Sequence, residues 1–127
     1  MTTLPLRPAP ASGDVGLSVR PEGDLLVVAL SGTFDIYSLP SLRPGLERLA
    51  DESALVIDLT EVTLIDSAGL GALMRLRNRS RREGPDRFGL VCPRRRLRRV
   101  FDITGLRAEF VIGPDIDTVR ALWEARG

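Results

Sequence analysis

The chain has 127 residues, 43% of them hydrophobic and 5% aromatic, enough for one domain whose core needs no disulfide or metal staple. It has no histidine, and all 18 basic side chains are arginine. This excludes a Ser-His triad, a histidine phosphorelay, histidine metal ligation, a lysine-dependent phosphate loop and Schiff-base chemistry. The lone Cys92 permits no intrachain disulfide, which fits a reducing cytoplasm, and no apolar run reaches the ~18 residues of a membrane span.

Residues 1–14 hold three prolines and no apolar periodicity, so the sequence predicts a disordered tail followed by one domain over 15–127. The N-terminus also lacks the charged and apolar regions of a signal peptide. Leu17 to Arg20 alternates like an edge strand. Pro21-Glu22-Gly23-Asp24 reads as a turn, and Leu25 to Leu30 as a buried strand paired back onto the first.

Leu39, Leu42, Leu46 and Leu49 form a helical stripe over Ser38 to Ala50, with Ser38 as the expected N-cap. Pro44 implies either a kink or a late start capped by Ser41. Ala54 to Leu59 is a buried strand, followed by a short loop to Asp66. A second helix begins at Ser67 or Ala68 and is closed by Gly84-Pro85. Leu70, Leu73, Met74 and Leu76 face inward, and Arg75, Arg79 and Arg82 face outward.

Phe88 to Cys92 is a strand containing the cysteine as a core residue. Arg94 to Ile103 is a helix built on Leu97, Val100 and Phe101 and ended by Gly105. Phe110 to Ile112 is a last strand. Asp115 to Ala125 is a last helix with Ile116, Val119, Leu122 and Trp123 inward. The order β-β-α-β-α-β-α-β-α predicts an α/β fold: a mostly parallel sheet of four or five strands, an antiparallel N-terminal strand and about four helices.

Charge is uneven although the net value is +1. Residues 75–99 carry eleven arginines against Glu83 and Asp86. Such a patch can hold nucleic-acid phosphates, but the scarcity of aromatics and the helical spacing of Arg75, Arg79 and Arg82 favour a solvated face or a docking surface for an acidic protein. Direct nucleic-acid binding is not expected. Gly69 and Gly71 resemble a fragment of a phosphate loop, yet glycines inside a helix more readily signal close approach of a strand or a partner.

The segment Val56 to Leu76, with Asp66-Ser67-Ala68-Gly69-Leu70 at its centre, resembles the signature of STAS domains of the anti-sigma factor antagonist type. Ser31 to Asp35 resembles the family's strand-to-helix turn ending in Asp, and Arg96 to Leu106 its third helix with the closing Gly-Leu. The likeness runs from about Leu17 to about Trp123. It implies helices grouped mainly on one sheet face and a non-enzymatic regulator in the cytoplasm, without cofactor or metal.

The same resemblance implies that Ser67 is phosphorylated and that Asp35, Asp66, Ser67, Ala68, Gly69 and Leu70 form a partner-binding surface. Unphosphorylated, the protein would bind an anti-sigma factor that is also a serine kinase and so release a sigma factor. Phosphorylation would end that binding, and a serine phosphatase would restore it. Ala68 departs from the family, in which many relatives carry a second hydroxyl there. The alternative is a STAS scaffold subunit that binds the ATPase of a lipid-transport ABC system. Read from the residues alone, Ser67 and Asp66 also serve as helix caps and Asp35 as a turn former.

Overall fold

A hairpin starts the sheet because Gly23 takes φ +64°, a conformation closed to most side chains. In the computed structural model, which describes residues 15–49, 52, 54–80 and 87–126, β1 (Val15–Glu22) pairs antiparallel with β2 (Leu25–Phe34). The turn is only Gly23-Asp24. Pro21 and Glu22, expected in the turn, extend β1 opposite Leu26 and Leu25, since an edge strand tolerates a proline that lacks a donor. The expected tail at 1–14 lies outside the described residues.

β2 and β3 (Leu55–Ile65) run parallel, and both outlast the apolar runs that announced them. The expected loop after Leu59 is strand. In its second half only Val62 and Ile65 are buried, opposite the Gly32–Phe34 stretch of β2, and two register shifts break the regular alternation, so apolar continuity stops where the strand does not. α1 (Leu39–Leu49) buries its four leucines as expected. Pro44 sits inside it and forgoes one backbone bond, so the helix does not start late.

α2 spans Ser67–Ser80, β4 Phe88–Val91, α3 Arg95–Ile103, β5 Val111–Gly113 and α4 Ile116–Arg126. A 3-10 turn at Leu106–Glu109, absent from the sequence reading, follows Gly105, whose φ of +76° ends α3. The end of α2 at Gly84-Pro85 lies outside the described residues. Leu122, expected inward, is exposed: it lies about 100° round the helix from the buried Trp123.

The sheet order is β1-β2-β3-β4-β5, with β2 to β5 parallel. Helices α1, α2 and α3 pack their leucines and Phe101 on one face, around Val28, Leu30, Ile57 and Leu90. α4 alone covers the other face through Val119 and Trp123, against Val27, Val56, Val91 and Val111. Central strands buried on both faces read as unbroken apolar runs, which is why they were legible. Because β2 to β5 share one direction, residues 35–38, 66–67, 92–94 and 114–115 all emerge at the carboxyl end of the sheet, where α/β folds place their sites.

Candidate partner-binding site

At this end an aspartate that closes the preceding strand or loop caps α2, α4 and the turn that leads into α1. Asp35 Oδ1 accepts the N–H groups of Tyr37 (3.0 Å) and Ser38 (2.9 Å). The Ser38 hydroxyl in turn accepts the Asp35 N–H at 3.0 Å, a reciprocal capping box. Asp35 thus caps the turn of residues 35–38 that leads into α1, and Ser38, directly before Leu39 where the N-cap was expected, answers it. Asp115 Oδ1 accepts the Thr118 N–H at 2.8 Å at the start of α4, and Thr118 holds that carboxyl below its ordinary value.

Asp66 does more. Its Oδ1 accepts the Gly69 N–H at 2.9 Å, capping α2, and its Oδ2 accepts the Ile36 N–H at 3.1 Å. The Asp66 N–H donates to the Phe34 carbonyl at 3.3 Å. One residue thus fixes the start of α2 and ties it to the loop after β2. That loop carries Asp35, so the structure brings Asp35, Asp66 and Ser67 to one place.

With Asp66 as cap, Ser67 is the first residue of α2, not its cap. Ser67 is exposed, and its hydroxyl makes no hydrogen bond among the described residues. Ala68 is half-buried against the core. Gly69 and Leu70 are buried, so the expected site narrows: Leu70 anchors α2 to the core, and its side chain offers a partner no surface. Gly69 is required by its neighbours, since a Cβ there would lie 2.4 Å from the Phe34 carbonyl oxygen and 2.9 Å from Ile65 Cγ1. Close approach of a strand, one of the two expected reasons, accounts for it. At Gly71 the nearest atom would be the Arg75 guanidinium at 3.5 Å.

Two residues of this surface were not expected from the sequence: Ile36, 60% exposed, and Tyr37, 89% exposed. The signal was present in the Asp-x-x-Ser box, whose two middle residues must face out of the first helical turn. Large apolar side chains left in water beside an unbonded hydroxyl suit protein contact.

The arginines divide. Arg75 and Arg79 are exposed as expected, and Arg82 lies outside the described residues. Arg77 is buried instead, donating to the Glu109 carbonyl oxygen and to Asn78 Oδ1 (2.8 Å) with its guanidinium over the Phe110 ring. It is a structural clasp between α2 and the 3-10 turn. Cys92 is fully buried as expected, and burial pushes its thiol up to about 11, far from thiolate reactivity at neutral pH. Among the described residues no acidic, cysteine or histidine group of three or more could hold a metal, and no helix is long and apolar enough to cross a membrane.

This arrangement, an exposed serine opening a helix beside an aspartate cap, lies within a chain whose residues 17–119 match the sequence model of the STAS domain. The chain belongs to the STAS domain family. This STAS domain is 35% identical over 95 residues to the anti-sigma-B factor antagonist of Bacillus subtilis, covering 74% of this chain and 86% of that protein. Its fold is similar to an anti-sigma factor antagonist from Mycobacterium paratuberculosis, with a TM-score of 0.78 and 27% identity, over 90% of this chain and 97% of that one. The Bacillus cell fate determinant SpoIIAA in its phosphorylated form shares the fold at a TM-score of 0.60 and 15% identity, over 84% and 98% of the two chains. The relative in sequence is thus named as an antagonist of an anti-sigma factor.

Proposed function

We propose that this STAS domain is an anti-sigma factor antagonist acting in the cytoplasm, switched by phosphorylation of Ser67. Unphosphorylated, it binds an anti-sigma factor that is also a serine kinase and so frees a sigma factor. The surface engaged is Ser67 and Ala68 with the neighbouring Asp35 to Tyr37 loop, held in place by Asp66. The observation that carries this reading is the exposed, unbonded hydroxyl of Ser67 beside the exposed Ile36 and Tyr37.

Phosphate adds about −1.5 to −2 charges at pH 7. At the first turn of a helix the backbone dipole accepts that charge, so the fold survives. A partner packed on Ile36 and Tyr37 would have to desolvate the new charge next to the Asp35 and Asp66 carboxylates, so the complex does not. A serine phosphatase then resets the switch. The test is incubation with the cognate anti-sigma kinase and ATP, followed by mapping of the modified residue by mass spectrometry. Phosphate on Ser67 supports the proposal, and phosphate elsewhere with Ser67 unmodified overturns it.

A further inference from the structure

Strand β3 has eleven residues and its neighbour β4 has four. They pair only from Leu55↔Phe88 to Asp58↔Val91, whereas β3 stays paired with β2 as far as Ile65. Beyond Asp58 no described strand pairs with the side of β3 that β4 would have occupied, and β3 there carries one extra residue against β2 between Asp58 and Glu61 and another between Val62 and Leu64. β4 stops pairing with β3 at Val91: Pro93 has no N–H to offer a further step, while the Cys92 N–H continues the β4–β5 ladder to the Gly113 carbonyl (2.9 Å). The vacated step is a groove of about 590 Å³, with residues 62–65 as one wall and Arg94, Arg96 and Val100 of α3 in the other.

Both walls have a chemistry. On the strand side Leu64 is 48% exposed. On the helix side Arg96, Val100 and the exposed Ile103 stand at spacings of four and three, hence on one face. α3 also breaks the rule that the other helices follow. Its N-cap is Arg94, which makes no side-chain cap bond. Arginines 94, 95 and 96 instead crowd the positive end of the helix dipole, with Arg98 and Arg99 just behind. Cations there oppose the dipole, so this corner attracts negative charge from outside the chain.

We propose that the step is a strand-addition site for an extended acidic segment of a partner protein. The segment pairs with the open edge of β3 between Leu59 and Ile65, about 20 Å of strand. Its carboxylates meet Arg94 and Arg96, and its apolar side chains rest on Leu64 and Val100. Main-chain bonds to the edge supply affinity, and the arginines select for acid. The site needs neither the Ser67 hydroxyl nor a kinase, so it goes beyond the switch proposed above.

The probe is a fluorescein-labelled heptapeptide alternating glutamate and valine, titrated onto the full chain by fluorescence anisotropy and followed by backbone amide hydrogen exchange. A lysine-valine peptide and two N-methylated forms of the acidic peptide, blocked on odd or on even nitrogens, are the controls. The acidic peptide is expected to bind and to slow exchange within 59–65. The lysine peptide should bind at least tenfold more weakly. One N-methylated form should bind and the other fail, because only alternate N–H groups of an added strand face its neighbour. Arg96→Glu should weaken binding at least tenfold without changing the circular dichroism melt. Equal binding of both N-methylated forms would reduce the contact to charge attraction and overturn strand addition. So would protection outside 59–65, or no binding of the acidic peptide. The assay contains no kinase, so its failure leaves the Ser67 switch standing.

Discussion

Asp66 uses both oxygens of one carboxylate, one on Gly69 of its own helix and one on Ile36 across the site. Loss of a helix-capping aspartate costs about 0.5–2 kcal/mol, and here the loop bearing Asp35 to Tyr37 is released as well. Asp66→Ala should therefore lower urea-unfolding stability by ~1–2 kcal/mol. Asp66→Asn should lose less, since the amide oxygen still caps Gly69 and only the Ile36 bond fails. The two glycines of α2 make an opposed pair. Gly69→Ala should destabilise by ~1–3 kcal/mol, because backbone and Ile65 stand where its methyl must go. Gly71→Ala should stabilise by ~0.5–1 kcal/mol, as an open helix position does. Equal effects of the two in chemical denaturation would contradict the packing described.

At the scale of elements, α4 is bound to the hairpin by charge as well as by Trp123. Asp24 in the β1–β2 turn pairs with Arg87 at 2.8 Å and with Arg120 of α4 at 3.2 Å. The Arg87 hydrogen bond holds the Asp24 carboxyl below its ordinary value of 3.8. A depressed carboxylate stabilises the fold above its unfolded value and loses that contribution as pH falls through the folded one. Asp24→Asn should thus be less stable than the parent at neutral pH, and the gap should narrow as pH falls below 3.8. Denaturant melts at several pH values measure it. A gap independent of pH would assign Asp24 a purely local role in the turn.

The element order was legible because leucine stripes and two-faced apolar runs repeat the periods of helix and strand. Strand ends were not. Thr60 to Ile65 alternates too loosely to announce itself, and its pairing with β2 becomes visible only once the two chains lie side by side. The inward reading of Leu122 failed for a related reason, because the stripe of α4 is narrow and a sequence does not reveal its width. Arg77 looked like its exposed neighbours until Glu109, 32 residues away, and the adjoining Phe110 arrived to hold it.

The whole molecule joins a rigid sheet to a surface made from the ends of its strands. The sequence of residues 1–14 has too little apolar content to offset the entropy of ordering it, so a chain beginning at Val15 is expected to melt within ~5 °C of the full chain, since less than about 1 kcal/mol would be lost. Ser67, Asp66 and Asp35, singled out in the sequence by their motifs, lie together at one end of the sheet, and their role in binding a partner belongs to the proposal. Leu70, expected in the surface, is buried as part of the stripe that anchors α2, and Ile36 and Tyr37, not singled out in the sequence, are exposed beside Ser67. The central claim is that charge on Ser67, and not loss of its hydroxyl, abolishes partner binding. Isothermal titration calorimetry of the cognate anti-sigma factor against the wild type, Ser67→Ala and Ser67→Glu tests it most directly. The account predicts that Ser67→Ala binds within about threefold of wild type. It predicts that Ser67→Glu binds at least about tenfold more weakly, a difference of about 1.4 kcal/mol, with all three melting alike. Equal affinity of the Ala and Glu variants would contradict the switch.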